Sequence, residues 1–62
     1  MFKPEENEIP YSAITCGHRI YLDTVTMTFN VYDLSTGENL LNTMNADKAE
    51  RYLDDLQTFK TY

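Results

Sequence analysis

The 62-residue chain has one cysteine, two glycines, two prolines and no tryptophan. A single cysteine permits no intramolecular disulfide, which excludes a stapled secreted mini-protein. A four-cysteine zinc site is excluded as well. Beside Cys16 the sequence holds one other soft ligand, His18, where structural zinc takes four. Collagen-like and low-complexity chains need far more glycine and proline. No run approaches the roughly 18 apolar residues of a membrane span, and Met-Phe-Lys-Pro-Glu-Glu at the start does not read as a signal peptide. Positive charge is also scarce: five Lys+Arg stand against ten Asp+Glu, a formal net charge of −5. Lys3, Arg19, Lys48, Arg51 and Lys60 are scattered. A nucleic-acid binder needs a basic footprint to neutralise phosphates, so direct DNA or RNA binding is not expected, nor is attraction to an anionic membrane. An acidic chain is drawn instead to basic surfaces of other proteins. No D-x-D-x-D-G loop offers calcium a site, and the sequence implies no cofactor. The expected setting is the cytoplasm, as a complete small protein.

At this length only one small domain fits, and its core gains from a partner chain. Residues 1–10 read as a flexible acidic arm, with Glu5, Glu6 and Glu8 between Pro4 and Pro10 and with Ile9 anchoring its end. Residues 11–62 read as a single α+β domain. Tyr11 to Cys16 is short and β-prone, and Gly17 breaks it. His18 to Asp23 alternates, with Ile20 and Leu22 on one face. Thr24 to Tyr32 carries the longest period-two pattern, with Val25, Met27, Phe29 and Val31 on one face. Asp33 to Glu38 is a turn in which Gly37 takes positive φ. Asn39 to Thr43 returns as a strand whose adjacent Leu40 and Leu41 point to opposite sides.

Asn45 is the expected N-cap of a helix over about 46–59, with Asp47 in its first turn. Ala49, Tyr52, Leu53, Leu56 and Phe59 form the apolar stripe of that helix, and Lys60 falls near its end. One sheet face and one helix stripe must bury each other. The expected fold is therefore α+β: a small antiparallel sheet of three or four strands packed on one C-terminal helix. Val25, Met27, Phe29 and Val31 are expected to meet Ala49, Leu53, Leu56 and Phe59. The free sheet edge suggests a homodimer.

Chemistry is thin. Cys16-Gly17-His18 reads as a half-buried cysteine beside a surface histidine. Asp54 and Asp55 diverge by about 100° on a helix and make a poor acid–base pair, so enzyme activity is not expected. Two surfaces remain. Asp47, Glu50 and Asp54 recur at i, i+3 and i+7 on one helical side, roughly 4.5 and 6 Å apart along the axis. Asp55 and Glu38 widen this acidic patch, and Lys48 and Arg51 soften it. Of five tyrosines (Tyr11, Tyr21, Tyr32, Tyr52 and Tyr62), parity puts Tyr21 and Tyr32 on the polar sheet face, where they form a second candidate interface.

In size, acidity and lack of chemistry the chain is similar in kind to small phage-encoded accessory proteins that bind and inhibit a host protein. The leading expectation is a protein-binding modulator whose partner is a larger protein with a basic surface. The alternatives are a nucleic-acid mimic that occupies a basic groove and a self-associating structural subunit.

Overall fold

A computed structural model describes residues 2–60 and the side chains of all of these except Phe59 and Lys60. The expected contacts of Phe59 and the placement of the Lys60 side chain and of Tyr62 therefore lie outside the described residues. Four strands, β1 (Glu8–Pro10), β2 (His18–Asp23), β3 (Thr28–Asp33) and β4 (Asn39–Thr43), form an antiparallel sheet in the order β1-β2-β3-β4. The helix α1 (Ala46–Lys60) follows and packs on β2, β3 and β4. Among the described residues no helix is long and apolar enough to cross a membrane.

The core is the cross-strand row Ile20, Val31 and Leu41, closed by Ala49 and Leu53 of α1. Ile20, Val31 and Ala49 are fully buried. Phe29 and Tyr52 pack at its margins. Asn45 caps α1, its Oδ1 accepting the Asp47 N–H at 2.9 Å and the Lys48 N–H at 3.3 Å.

The long alternating pattern does not become one strand. Val25 and Met27 are 76% and 60% exposed and take no part in the core. The cause is Asp23, whose Oδ1 accepts the Val25 and Thr26 N–H groups at 2.9 and 3.2 Å. Its carbonyl takes the Met27 N–H at 2.7 Å, and Met27 closes the loop at φ 58°. Asp33 repeats this construction: Oδ1 accepts from Ser35 and Thr36, the carbonyl from Gly37, and Gly37 sits at φ 78°. A side-chain oxygen mimicking a backbone turn thus ends β2 and β3 alike.

Within the expected arm over residues 1–10, residues 7–10 are tied to the sheet. Residues 8–10 are β1, in register with Leu22 through Ile9. Asn7 O accepts both the N–H and the hydroxyl of Thr24, at 2.8 and 2.7 Å. Glu8 is 7% exposed. Its burial depends on donors 22 and 24 positions away, Asn30 and Tyr32, which composition cannot anticipate.

The leucine pair is resolved by a bulge. Val31 pairs with Leu41 and Tyr32 with Asn39, so Leu40 is the extra residue. The bulge brings Asn39 and Asn42, three positions apart, onto one face, where both donate to Asn30 Oδ1 at 3.1 and 2.5 Å. Leu41 packs against the core.

Candidate protein-binding surface

The Cys16–His18 segment is the reverse of the expectation. Cys16 is exposed and His18 is 6% exposed. Cys16 and Gly17, at φ 51° and 75°, make a two-residue turn between Thr15 and His18. The turn directs the His18 ring inward. Its Nδ1–H donates to Cys16 O at 2.8 Å, and Nε2 stands 3.8 Å from Asp33 Oδ2. Among the described residues no group of three His, Cys, Asp or Glu side chains is placed to hold a metal ion.

The tyrosine face is largely covered from within. Tyr21 and Tyr32 do share the sheet face opposite α1, their rings 5.8 Å apart. Phe2 lies over both, 5.4 Å from Tyr21 and 4.7 Å from Tyr32. Tyr21 is 5% exposed and offers a partner little surface. Beside them Glu8 Oε2 accepts the Tyr32 hydroxyl at 2.7 Å and Asn30 Nδ2 at 3.0 Å, while Oε1 accepts the Glu5 N–H at 3.1 Å. Burial, and then the anionic acceptor Glu8, push the Tyr32 phenol up to about 12. An open cleft of about 360 Å³ remains at the edge of this face, lined by Phe2, Ile14, Arg19, Tyr21 and Leu34.

The acidic helix side is a free surface. Asp47, Glu50 and Asp54 are exposed, as are Asp55 and Glu38, and none of the first three pairs ionically with a described residue. Where the three carboxylates face follows from chirality. On a strand running upward, residues whose side chains point at the viewer direct their N–H and C=O to the right. Seen from the α1 side, Asp33 is such a residue on β3, and its N–H goes to Glu38 O at the head of β4. So β4 lies right and β1 left. The helix α1 returns from the end of β4 and rises alongside β3. A right-handed helix in front of the sheet then carries Glu50, Asp54 and Asp47 about 100°, 140° and 160° round from inward-facing Ala49, on the left. Arg51 neighbours Asp47 at i+4, whereas Lys48 lies on the other flank. Glu50 therefore borders the β1 side, Asp54 tilts outward from it, and Asp47 points almost directly away from the sheet.

That side holds what the sequence reading missed. Ile9, Leu22 and Phe29 form one cross-strand row on the helix face. The Tyr11 ring joins the row, 4.7 Å from Phe29. Among the described residues no Cα of the helix comes within 8 Å of a β1 Cα, and Ile9 and Tyr11 are 48% and 44% exposed. Ile9 is thus no core anchor. An apolar residue inside the acidic arm, two positions before Tyr11, was the available signal. Half-exposed Ile9 and Tyr11 thus lie on the side of the helix that Glu50 borders. No protein-family model, curated protein or solved structure matches this chain.

Proposed function

We propose that this chain is a small acidic, non-enzymatic binding protein that docks on a basic surface of a larger cytoplasmic protein and modulates it, in the manner of phage-type inhibitors of host proteins. The observation that carries the reading is the flank of α1. Three exposed carboxylates with no ionic partner among the described residues run along it, beside half-exposed Ile9 and Tyr11. Unpaired surface charge adds little to folding. At an interface it steers encounter and selects a partner of opposite sign.

The test is a triple variant, Asp47→Lys, Glu50→Lys, Asp54→Lys, first shown to melt like the wild type. Both proteins are then used to capture a partner from native cytosol between about 0.01 M and 1 M salt, a range over which the screening length falls from roughly 30 to 3 Å. The expected result is capture by the wild type that fades with salt and is absent from the variant. Equal capture by both, with equal salt dependence, refutes the reading. Displacement of the captured partner by duplex nucleic acid identifies the chain as a nucleic-acid mimic on that same groove.

A second reading, self-association, is favoured by the sheet edges. Edge strand β1 is three residues long and carries Glu8 and Pro10, which guard it. The other edge, β4, is uncharged Asn39–Thr43 and pairs with β3 alone. Antiparallel β4–β4 pairing makes a homodimer. Light scattering that finds only monomer at millimolar concentration excludes it.

A further inference from the structure

We infer that the cleft at the edge of the tyrosine face binds a small apolar carboxylic acid, its hydrocarbon body among Phe2, Ile14, Tyr21 and Leu34 and its carboxylate on the guanidinium of Arg19. This face lies across the sheet from α1 and its carboxylates, so the site goes beyond the docking reading and neither depends on the other.

Arg19 is held in a fixed place. Its Nε–H donates to Ser12 O at 2.7 Å. Ser12 is itself tied to β2, its Oγ accepting the Ile20 N–H at 3.1 Å. The guanidinium carbon stands 5.9 Å from the centre of the Tyr21 ring, whose face favours a cation. Of the guanidinium N–H groups, only the Nε–H has an acceptor among the described residues. The edge formed by Nη1 and Nη2 is left, a flat fork that matches the two oxygens of a carboxylate. No described carboxylate takes it, since the ion pair among the described residues joins Asp33 to His18. Asp33 and His18 face the other side of the sheet from Arg19, by strand alternation. Glu8 pairs with Asp23 at the far end of β2, and its oxygens accept from Asn30, Tyr32 and the Glu5 amide. In a chain with ten Asp+Glu, a fixed cation with no described carboxylate beside it is a site for an anion from outside.

The rest of the cleft selects the body of that anion. Of the five lining residues only Arg19 is charged, and Ile14 is 58% exposed. An inorganic anion would satisfy the fork and leave Ile14 in water. A neutral hydrocarbon would cover Ile14 and leave the fork without an anion. A carboxylate on an apolar body uses both parts. The cleft holds about 360 Å³, near the lower end of ligand sites, which run from roughly 300 Å³ upward. At about 30 Å³ for each water-sized group, that is roughly a dozen heavy atoms, or one ring with a short acid chain. This size suits a free acid rather than a stretch of protein chain.

The experiment titrates the full chain, isotope-labelled for NMR, with phenylpropionate, with its neutral amide and with acetate. The expected result is saturating shifts below about 10 mM phenylpropionate, centred on Ile14, Arg19, Tyr21 and Leu34. The neutral amide should bind at least about tenfold more weakly, because it lacks the charge-assisted pair. Acetate should also bind at least about tenfold more weakly, because it buries no ring. Arg19→Gln, checked first for an unchanged melting curve, should remove the preference for the acid over its amide. Equal affinity for acid and amide, or for phenylpropionate and acetate, overturns the inference, as do saturating shifts that appear nowhere in the cleft. A tripeptide ending in phenylalanine that binds tighter than the free acid gives the cleft to a chain terminus and overturns the free-acid assignment. If Arg19→Gln fails to fold, the acid–amide comparison on the wild type decides the matter. None of these outcomes touches the docking reading, which the triple α1 variant tests separately.

Discussion

Replacing Glu8 with alanine tests whether the N-terminal residues are part of the fold. The carboxylate holds three hydrogen bonds: Asn30 Nδ2 at 3.0 Å, the Tyr32 hydroxyl at 2.7 Å and the Glu5 N–H at 3.1 Å. Asn30 is 4% exposed, so its amide loses an acceptor where water reaches it poorly. A buried donor left unsatisfied costs about 1–3 kcal/mol. Tyr32 and the Glu5 amide are nearer solvent and recover part of their loss from water. A total of about 2–4 kcal/mol follows, since neighbouring bonds are not additive. A domain of this length holds only about 3–9 kcal/mol. Urea denaturation followed by circular dichroism should therefore show Glu8→Ala near the edge of unfolding. Glu8→Gln should fall between it and the wild type, because its carbonyl oxygen still accepts one bond. The control is Glu6→Ala, two positions away and exposed, which should stay within about 0.5 kcal/mol. If Glu8→Ala and Glu6→Ala are equally mild, β1 and the arm before it are not anchored as described, and the reasoning fails.

Further outcomes follow from the same geometry. Ile20→Ala should destabilise by about 2–5 kcal/mol, whereas Val25→Ala on the exposed loop should stay within about 0.5, in the same denaturation assay. Met27→Gly should raise the thermal midpoint, since a side chain at φ 58° carries about 1–2 kcal/mol of strain that glycine lacks; an unchanged or lowered midpoint contradicts the loop conformation. The Tyr32 phenol, raised to about 12, favours the folded state while protonated. That stability is complete below the ordinary tyrosine value near 10 and fades as pH rises toward 12, with the ultraviolet titration of Glu8→Gln shifted back down. Asp23 is held below its usual value chiefly by the Thr26 N–H, and Asp33 chiefly by the Ser35 hydroxyl. Their contribution is present above the normal carboxylate range and lost as pH falls through the lowered values, so Asp33→Asn should flatten the acid limb of a stability–pH profile.

Local chemistry and periodicity determined much of this protein. The stripe at Ala49 and Leu53, with Asn45 before it, placed α1 to within a residue, because capping and a 3.6-residue period are local properties. The Asp33–Gly37 loop was legible for the same reason. Period-two alternation told which side of a strand is apolar, but not where the strand stops. At Val25 and Met27 the pattern ran on while the Asp23 side chain had already turned the chain. Other outcomes belonged to tertiary structure alone. Glu8 and Tyr21 became buried through contacts with residues distant in sequence, namely Asn30, Tyr32 and Phe2. The spacing of Asp47, Glu50 and Asp54 was visible from the start. The place of Glu50 on the side of half-exposed Ile9 was not, because it depends on strand order, on the β4–α1 connection and on the hand of the helix. One helix is too narrow to cover four strands, and the strand it leaves uncovered is set by how the chain returns.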